Sequence, residues 1–175
     1  MKYKFEISPI NQKDLDTVNT ILSDWLSKEE VDHYVKSIEN IISKSTSKPK
    51  FDSHYYVATF EGKVVGVAGF RKPNPKLLEF TTTKTPAELC ILYVDKEHRG
   101  GKGVGTALLN HIIKQAKKRK YKEFIVRSAE KLSDTGWGFY DNMDFDRVGR
   151  LSPPEYEKVS QVWVKFLSTT SPNRS

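Results

Sequence analysis

An apolar run that ends in a cluster of glycines constrains this chain more than any other stretch. Leu89 to Val94 is apolar almost without a break. The charged turn Asp95-Lys96-Glu97-His98-Arg99 follows, and then Gly100-Gly101-Lys102-Gly103-Val104-Gly105-Thr106. Past the glycines, Val104, Ala107, Leu108, Ile112 and Ala116 recur at helical spacing. The pattern predicts a buried strand, a tight loop and a helix starting near Gly103. Closely spaced glycines let backbone N–H groups turn inward as a nest, and a helix start adds free N–H groups and a positive dipole end. Such a cradle suits a phosphate or pyrophosphate. The same letters would also serve a plain strand-to-helix turn, so the glycines alone do not establish a site.

Two nucleotide patterns can be tested on the letters. The Walker loop needs Gly, four residues, then Gly-Lys-Ser/Thr. Here Lys102 sits between glycines and Gly103 follows it, so that pattern is absent. The dinucleotide fingerprint needs G-x-G-x-x-G and an acidic residue about twenty positions on. Gly101-x-Gly103 is followed by Thr106 at the third place, and Glu123 precedes its strand rather than ending it.

The chain has 175 residues, which favours one domain, 1–167, followed by a polar tail, 168–175. Its single cysteine, Cys90, excludes an internal disulfide and reads as a buried small hydrophobe in the apolar strand. No run of eighteen apolar residues and no secretory leader is visible, so no membrane partner and a cytoplasmic location are expected. The net charge of +7 would suit nucleic acid, an acidic partner or a phosphorylated cofactor. Its densest run, Lys114, Lys117, Lys118, Arg119, Lys120 and Lys122, falls where a helix C-terminus favours cations. No zinc-finger spacing or RNA-binding aromatic signature accompanies it, which points away from nucleic acid. His33, His54, His98 and His111 are scattered without ligand spacing, so no metal is expected.

In chain order, Tyr3 to Ile7 alternates as a strand and Ser8-Pro9 ends it. Asn11 with Asp14 three positions on predicts a helix cap, and Leu15, Val18, Leu22 and Trp25 mark one helical face. A second amphipathic helix covers Lys28 to Lys44, with Val31, Tyr34, Val35, Ile38, Ile41 and Ile42 on one side; Ser43 to Lys50 reads as a loop. Tyr55 to Phe60 and Lys63 to Phe70 flank Glu61-Gly62 as a hairpin, with Gly66 and Gly69 marking a bulge or a close backbone approach. Arg71 to Pro86 is irregular, with a short strand at Leu77 to Phe80. After the central helix come a strand at Glu123 to Arg127, a loop at Ser128 to Asp134 and a short helix at Thr135 to Asn142. Strands at Phe145 to Val148 and Val159 to Leu167, separated by a Leu151 to Glu157 loop, close the chain.

Arg99-Gly-Gly-Lys-Gly-Val-Gly-Thr-Ala-Leu-Leu109 closely resembles the acyl-CoA-binding motif of the GNAT (GCN5-related) N-acetyltransferases, Gln/Arg-x-x-Gly-x-Gly/Ala at the start of a helix. Gly103 and Gly105 take its two small-residue positions. Arg99 lies four residues before Gly103 where the motif has three, so either Gly100 takes the first position or the loop carries one extra residue. A second match is Gly138-Phe139-Tyr140-Asp141-Asn142-Met143-Asp144-Phe145, where the family has Phe-Tyr followed by Gly-Phe and Asp144 replaces the glycine. Ser133 stands where many members have an asparagine seven residues before that tyrosine.

The resemblance implies an α/β fold with a mixed, mostly antiparallel central sheet flanked by helices and a splayed central strand pair. It also implies acetyl-CoA as cofactor and acetyl transfer to a primary amine of a small molecule, peptide or protein, by direct attack in a ternary complex. Leu92, Tyr93, Val94, Arg99, Gly100, Gly101, Lys102, Gly103, Val104, Gly105, Thr106 and Ser133 would bind the cofactor. Tyr140 would act on the leaving thiolate, or simply pack beside Trp137 and Met143. Glu88 is the candidate base, with an exposed strand-end charge as the bland alternative; Asp95 is a weaker candidate. A non-catalytic acyl-CoA-binding or regulatory module on the same fold is the alternative function. The sequence leaves the oligomeric state open, a homodimer included.

Overall fold

The computed structural model describes residues 3–43, 51–154 and 158–167. The chain divides into two compact units, Met1–Arg71 with Cys90–Ile112 and Lys72–Leu89 with Ile113–Ser175. The expected Ser43 to Lys50 loop and the polar tail lie almost wholly outside the described residues.

In the first unit, β1 (Glu6–Pro9) pairs antiparallel with β2 (His54–Phe60), which pairs antiparallel with β3 (Lys63–Arg71). The first strand is shifted from the expected Tyr3 to Ile7, and Pro9 lies inside it, opposite Tyr56. Proline is tolerated there because β1 is the outermost strand of its order, β1-β2-β3-β4. Asn11 caps the turn that follows: its side chain accepts from Lys13 N at 3.1 Å, and Asp14 accepts from Asn11 N at 3.0 Å. The chain then enters α1 (Leu15–Ser23), with Leu15, Val18, Ile21 and Leu22 buried. Trp25 falls just beyond this helix rather than on its face. Ser27 and Glu30 form a reciprocal capping box for α2 (Lys28–Ile42), which buries Val31 and Ile38 against the same core. Burial of each such side chain contributes roughly 1.5–3 kcal/mol.

The β2–β3 hairpin forms as expected: Glu61 (φ 49°) and Gly62 (φ 79°) are both left-handed, the geometry of a two-residue turn that matches strand twist. The register slips between Ala58 and Thr59, which leaves Val65 as the extra residue beside Gly66. Both expected glycine roles are present. A Cβ at Gly66 would come within 2.8 Å of Leu108 Cδ1 and 3.0 Å of Val104 Cγ1. One at Gly69 would run into the Tyr55 ring. That ring is buried, which raises the Tyr55 phenol well above its ordinary pKa. Cys90 is only half-buried, at the margin of the core.

The strand order continues β4-β5-β7-β6, from β4 (Pro86–Val94), β5 (Glu123–Ala129), β6 (Asp146–Leu151) and β7 (Ser160–Phe166); Pro86 to Leu89 of β4 and the other three strands belong to the second unit. The β5–β7 and β6–β7 pairs are antiparallel, and β4–β5 is parallel. The parallel register holds only Pro86–Glu123, Ala87–Phe124 and Glu88–Ile125, and this short pairing is the splay of the central pair. The fold is thus the mixed, mostly antiparallel, helix-flanked α/β arrangement that the sequence implied.

Leu77 to Phe80 is not a strand. Pro75–Phe80 forms a 3-10 helix, because Asn74 caps it by accepting from Lys76 N at 3.0 Å and Pro75 presets its first turn. Leu77 is buried against Ile125, Leu151, Val162 and Val164. α3 (Val104–Lys118) ends at Lys120, left-handed at φ 71°, with Tyr121 N donating to Ala116 O at 3.1 Å. The basic residues after it are mostly exposed. The expected Ser128 to Asp134 loop is also corrected: β5 runs on to Ala129, a 3-10 turn covers Glu130–Leu132, and a π-helical turn at Ser133–Trp137 leads into α4 (Gly138–Asn142). Among the described residues no helix is long and apolar enough to cross a membrane.

Candidate active site

The glycine cluster lies in the first unit. Leu92, Tyr93 and Val94 end β4 half-buried, and Asp95 N donates to Val65 O at 2.9 Å, which ties the strand end to the bulge in β3. Asp95 then closes the turn Lys96–His98: its Oδ2 lies 2.8 Å from His98 Nδ1, and its carbonyl accepts from His98 N at 2.9 Å.

Gly100, Gly101 and Gly103 have φ of 75°, 82° and 83°. Three positive-φ residues among four is a backbone pattern from which anion nests are built. Nothing stands within 4 Å of where a Cβ would lie on any of the three. Lys102 braces the loop, its Nζ donating to Glu97 O at 2.6 Å. Ala107 N donates to Gly103 O at 3.0 Å, so Gly103 opens α3, and no carboxylate occupies the helix's first turn. Val104 is fully buried and Leu108 packs with it against Gly66, which places the helix start by contact. Gly105 and Thr106 follow in the first turn, half-buried and exposed. Open space, a helix N-terminus and no acid in the first turn suit a pyrophosphate.

Arg99 is turned back from this loop. Its Nε donates to Val94 O at 3.1 Å, its guanidinium carbon lies 3.7 Å from the centroid of the Trp25 ring, and its Nη2 is buried without a hydrogen-bond partner. Sequence reasoning missed Trp25 here. An indole more than seventy positions away in the chain carries no local signal of what it touches.

The second unit holds Tyr140, Ser133 and Glu88. Tyr140 on α4 is 8% exposed. Its ring is packed by Phe139, Phe145 and Trp163, at centroid distances of 5.3, 6.0 and 5.1 Å. The next residue locks the helix. Asp141 accepts from Trp163 Nε1 at 2.9 Å and from Arg147 Nε and Nη2 at 3.0 and 2.8 Å. The Arg147 hydrogen bond, then that of Trp163, holds the Asp141 carboxyl below the ordinary carboxylate range. Asp144, at the family's glycine position, keeps the turn by adopting φ 62°, with Phe145 N donating back to Tyr140 O at 3.2 Å. Aspartate is among the few non-glycine residues that enter this region readily. Ser133 is half-buried at the start of the π-helical turn.

Glu88 is only 3% exposed, which overturns its reading as an exposed strand-end charge. Its Oε2 accepts from Asn74 N at 2.8 Å. Glu123, fully buried on β5, accepts from Thr82 N, Thr83 N and Thr83 Oγ1 at 3.1, 2.9 and 2.8 Å. Two buried carboxylates therefore pin the two ends of the 72–85 segment. The acidic-residue spacing that suggested a nucleotide fingerprint gave no hint of this.

A model of the acetyltransferase (GNAT) family matches residues 16–145, more than half of the chain. No curated protein sequence matches. Among solved structures, a GNAT-family protein from Desulfovibrio desulfuricans aligns with a TM-score of 0.74 at 16% identity, over 94% of this chain and 99% of that one. A ribosomal-protein-alanine N-acetyltransferase from Brucella melitensis gives 0.68 at 21% identity, over 93% and 99% of the two chains. The PaiA N-acetyltransferase from Thermoplasma acidophilum, solved with coenzyme A, gives 0.66 at 20% identity, over 93% and 99%. Identities this low show a shared fold. The family match, the strand order and the glycine loop opening α3 agree, and the chain belongs to the GNAT family of acetyltransferases.

Proposed function

We propose that the protein is an N-acetyltransferase that moves an acetyl group from acetyl-CoA to a primary amine of a small molecule, peptide or protein, by direct attack in a ternary complex. The observation that carries this is the run of left-handed glycines opening α3 with open space before it. A family relative of the same fold solved with coenzyme A supports the choice of cofactor.

Acetyl-CoA supplies the acetyl group as an activated thioester. Backbone N–H groups of Gly100 to Thr106 hold the pyrophosphate, with Lys102 bracing the loop and Arg99 anchoring its start. Main-chain N–H groups of Leu92 to Val94 align and polarise the acyl end. Ser133 lies on the turn before α4 and lines the cofactor. Tyr140 Oη donates a proton, or a hydrogen bond, at the leaving sulfur. Its ring is packed against Trp163 and Phe145, which limits how far it can swing. The Glu88 carboxylate accepts the amine's proton, directly or through one water, while Asn74 N–H keeps it oriented.

Calorimetric titration with acetyl-CoA tests the reading. Wild type should bind, and Gly103→Glu should bind at least about 100-fold more weakly, because a carboxylate then stands where phosphate oxygens belong. Unchanged affinity in folded Gly103→Glu removes the site. Mass analysis after incubation with acetyl-CoA and a panel of amines separates catalysis from binding alone.

A further inference from the structure

The glycines bring no side chains to hold their loop. Nothing lies within 4 Å of a Cβ built at Gly100, Gly101 or Gly103, and glycine carries the largest conformational freedom of any residue. Beyond the Lys102 Nζ–Glu97 O hydrogen bond, the shape of the loop therefore depends on its two ends. One end is α3, seated by Val104 and Leu108 against Gly66. The other is Arg99, and what holds Arg99 is the turn between α1 and α2.

That turn grips the segment Val94 to Arg99 at several points. The Trp25 indole lies against the Arg99 guanidinium at 3.7 Å and reaches Val94 O with its N–H at 3.4 Å, where Arg99 Nε also donates at 3.1 Å. Trp25 packs on Tyr93 at 5.9 Å between centroids, and Asp24 pairs with Lys96 at 3.2 Å. One strand-end carbonyl thus receives two donors from side chains that also stack on each other. Arg99 Nη2 is buried with no acceptor among the described residues, a cost that the stacking and the Nε hydrogen bond offset.

We infer that Trp25 is a positioning residue for the cofactor loop, acting through Arg99, and that Arg99 serves the loop from behind rather than as a ligand of the phosphates. The inference rests on the cofactor reading above for its consequence, but not for its geometry. Binding that needs an ordered loop is tighter when the order is supplied beforehand, and the coupling is reciprocal: coenzyme A should in turn quieten the α1–α2 turn.

Two measurements test it on the full chain. Hydrogen exchange of peptides covering residues 99–106 reads loop order without any ligand. Calorimetry with coenzyme A reads the consequence. Trp25→Ala should speed exchange across the loop and weaken coenzyme A by about 10-fold, while Trp25→Phe, which keeps a ring for the guanidinium, should stay within about 3-fold of wild type. Arg99→Lys keeps the charge but loses the planar stack and should resemble Trp25→Ala. In wild type, coenzyme A should slow exchange at residues 24–31. The inference is overturned if Trp25→Ala leaves both loop exchange and affinity unchanged. It is overturned equally if Arg99→Lys lowers affinity with no loosening of the loop, because Arg99 is then a direct ligand. If wild type fails to bind coenzyme A yet Trp25→Ala still loosens the loop, the cofactor reading falls and the clamp stands. Thermal melting of each variant separates loop effects from global unfolding.

Discussion

In the first unit the candidate cofactor cradle is placed largely by what is missing. Gly66 has no side chain, so Val104 and Leu108 can approach β3, and Gly100, Gly101 and Gly103 have none, so the chain can turn left-handed three times. In the second unit, Tyr140, Glu88 and the segment over β5 are placed largely by carboxylates. Asp141 fastens α4 to Trp163 and Arg147, Glu88 takes the Asn74 N–H, and Glu123 takes three donors from Thr82 and Thr83. Steric permission is local and additive, whereas a carboxylate with several donors, fully buried at Glu123 and exposed at Asp141, loses them together when it is removed. The contrast implies a division of labour. Changes in the first unit should move cofactor affinity, and changes in the second should move turnover or stability.

The sharpest test is Tyr140→Phe, which keeps the ring and deletes the hydroxyl. Single-turnover acetyl transfer should fall by roughly two to three orders of magnitude with acetyl-CoA affinity nearly unchanged. Wild-type single-turnover rates in the folded variant would make Tyr140 a packing residue and break the division. Glu88→Gln puts the proton-accepting role to the same measurement.

Next in size is Glu123→Ala. It removes a fully buried carboxylate and the acceptor of the Thr82 and Thr83 N–H groups, which lie at an exposed and a half-buried position, and should lower unfolding stability by about 1–3 kcal/mol in urea titration. The cradle should still bind acetyl-CoA with little change. A large loss of affinity at retained fold would show that the two regions are not independent.

The smallest effect concerns Asp144. Replacing it with glycine at φ 62° should raise stability by about 0.5–1 kcal/mol, since the left-handed region penalises any Cβ. A loss instead, read from the same titration, would mean that the aspartate side chain carries an interaction the turn depends on.

How much of this could be read from the letters depends on the range of the forces involved. The strand–loop–helix unit, the Asn11 cap and the Glu61-Gly62 hairpin rest on interactions within a few residues, and all three are present in the structure. Leu77 to Phe80 misled because its apolar character fits a strand, whereas the cap at Asn74 and the proline at 75 decide for a 3-10 helix. Pro9 misled in the opposite direction: proline breaks an interior strand, but an edge strand accommodates it. The site residues divide in the same way. The glycine nest is local, so it was visible. Glu123 reaches forty positions back and Arg99 stacks on a ring still further away, and no periodicity or spacing records such pairings. The replacement of the family's glycine by Asp144 left the turn in question on the letters, yet the backbone makes the same turn at a modest conformational cost.

Pro9 has one more consequence. A sheet's outermost strands offer their unused peptide groups to any other chain in extended form, which is how strand-by-strand growth into aggregates begins. On β1 the proline removes one of the donors such growth would use. On β6 the same protection comes from exposed Asp146, Arg147 and Arg150 and from the slipped register between Arg147 and Gly149, which spoils a straight template. Both margins are thus poor seeds for self-templated stacking, and this bears on how concentrated the protein can become before its copies begin to adhere.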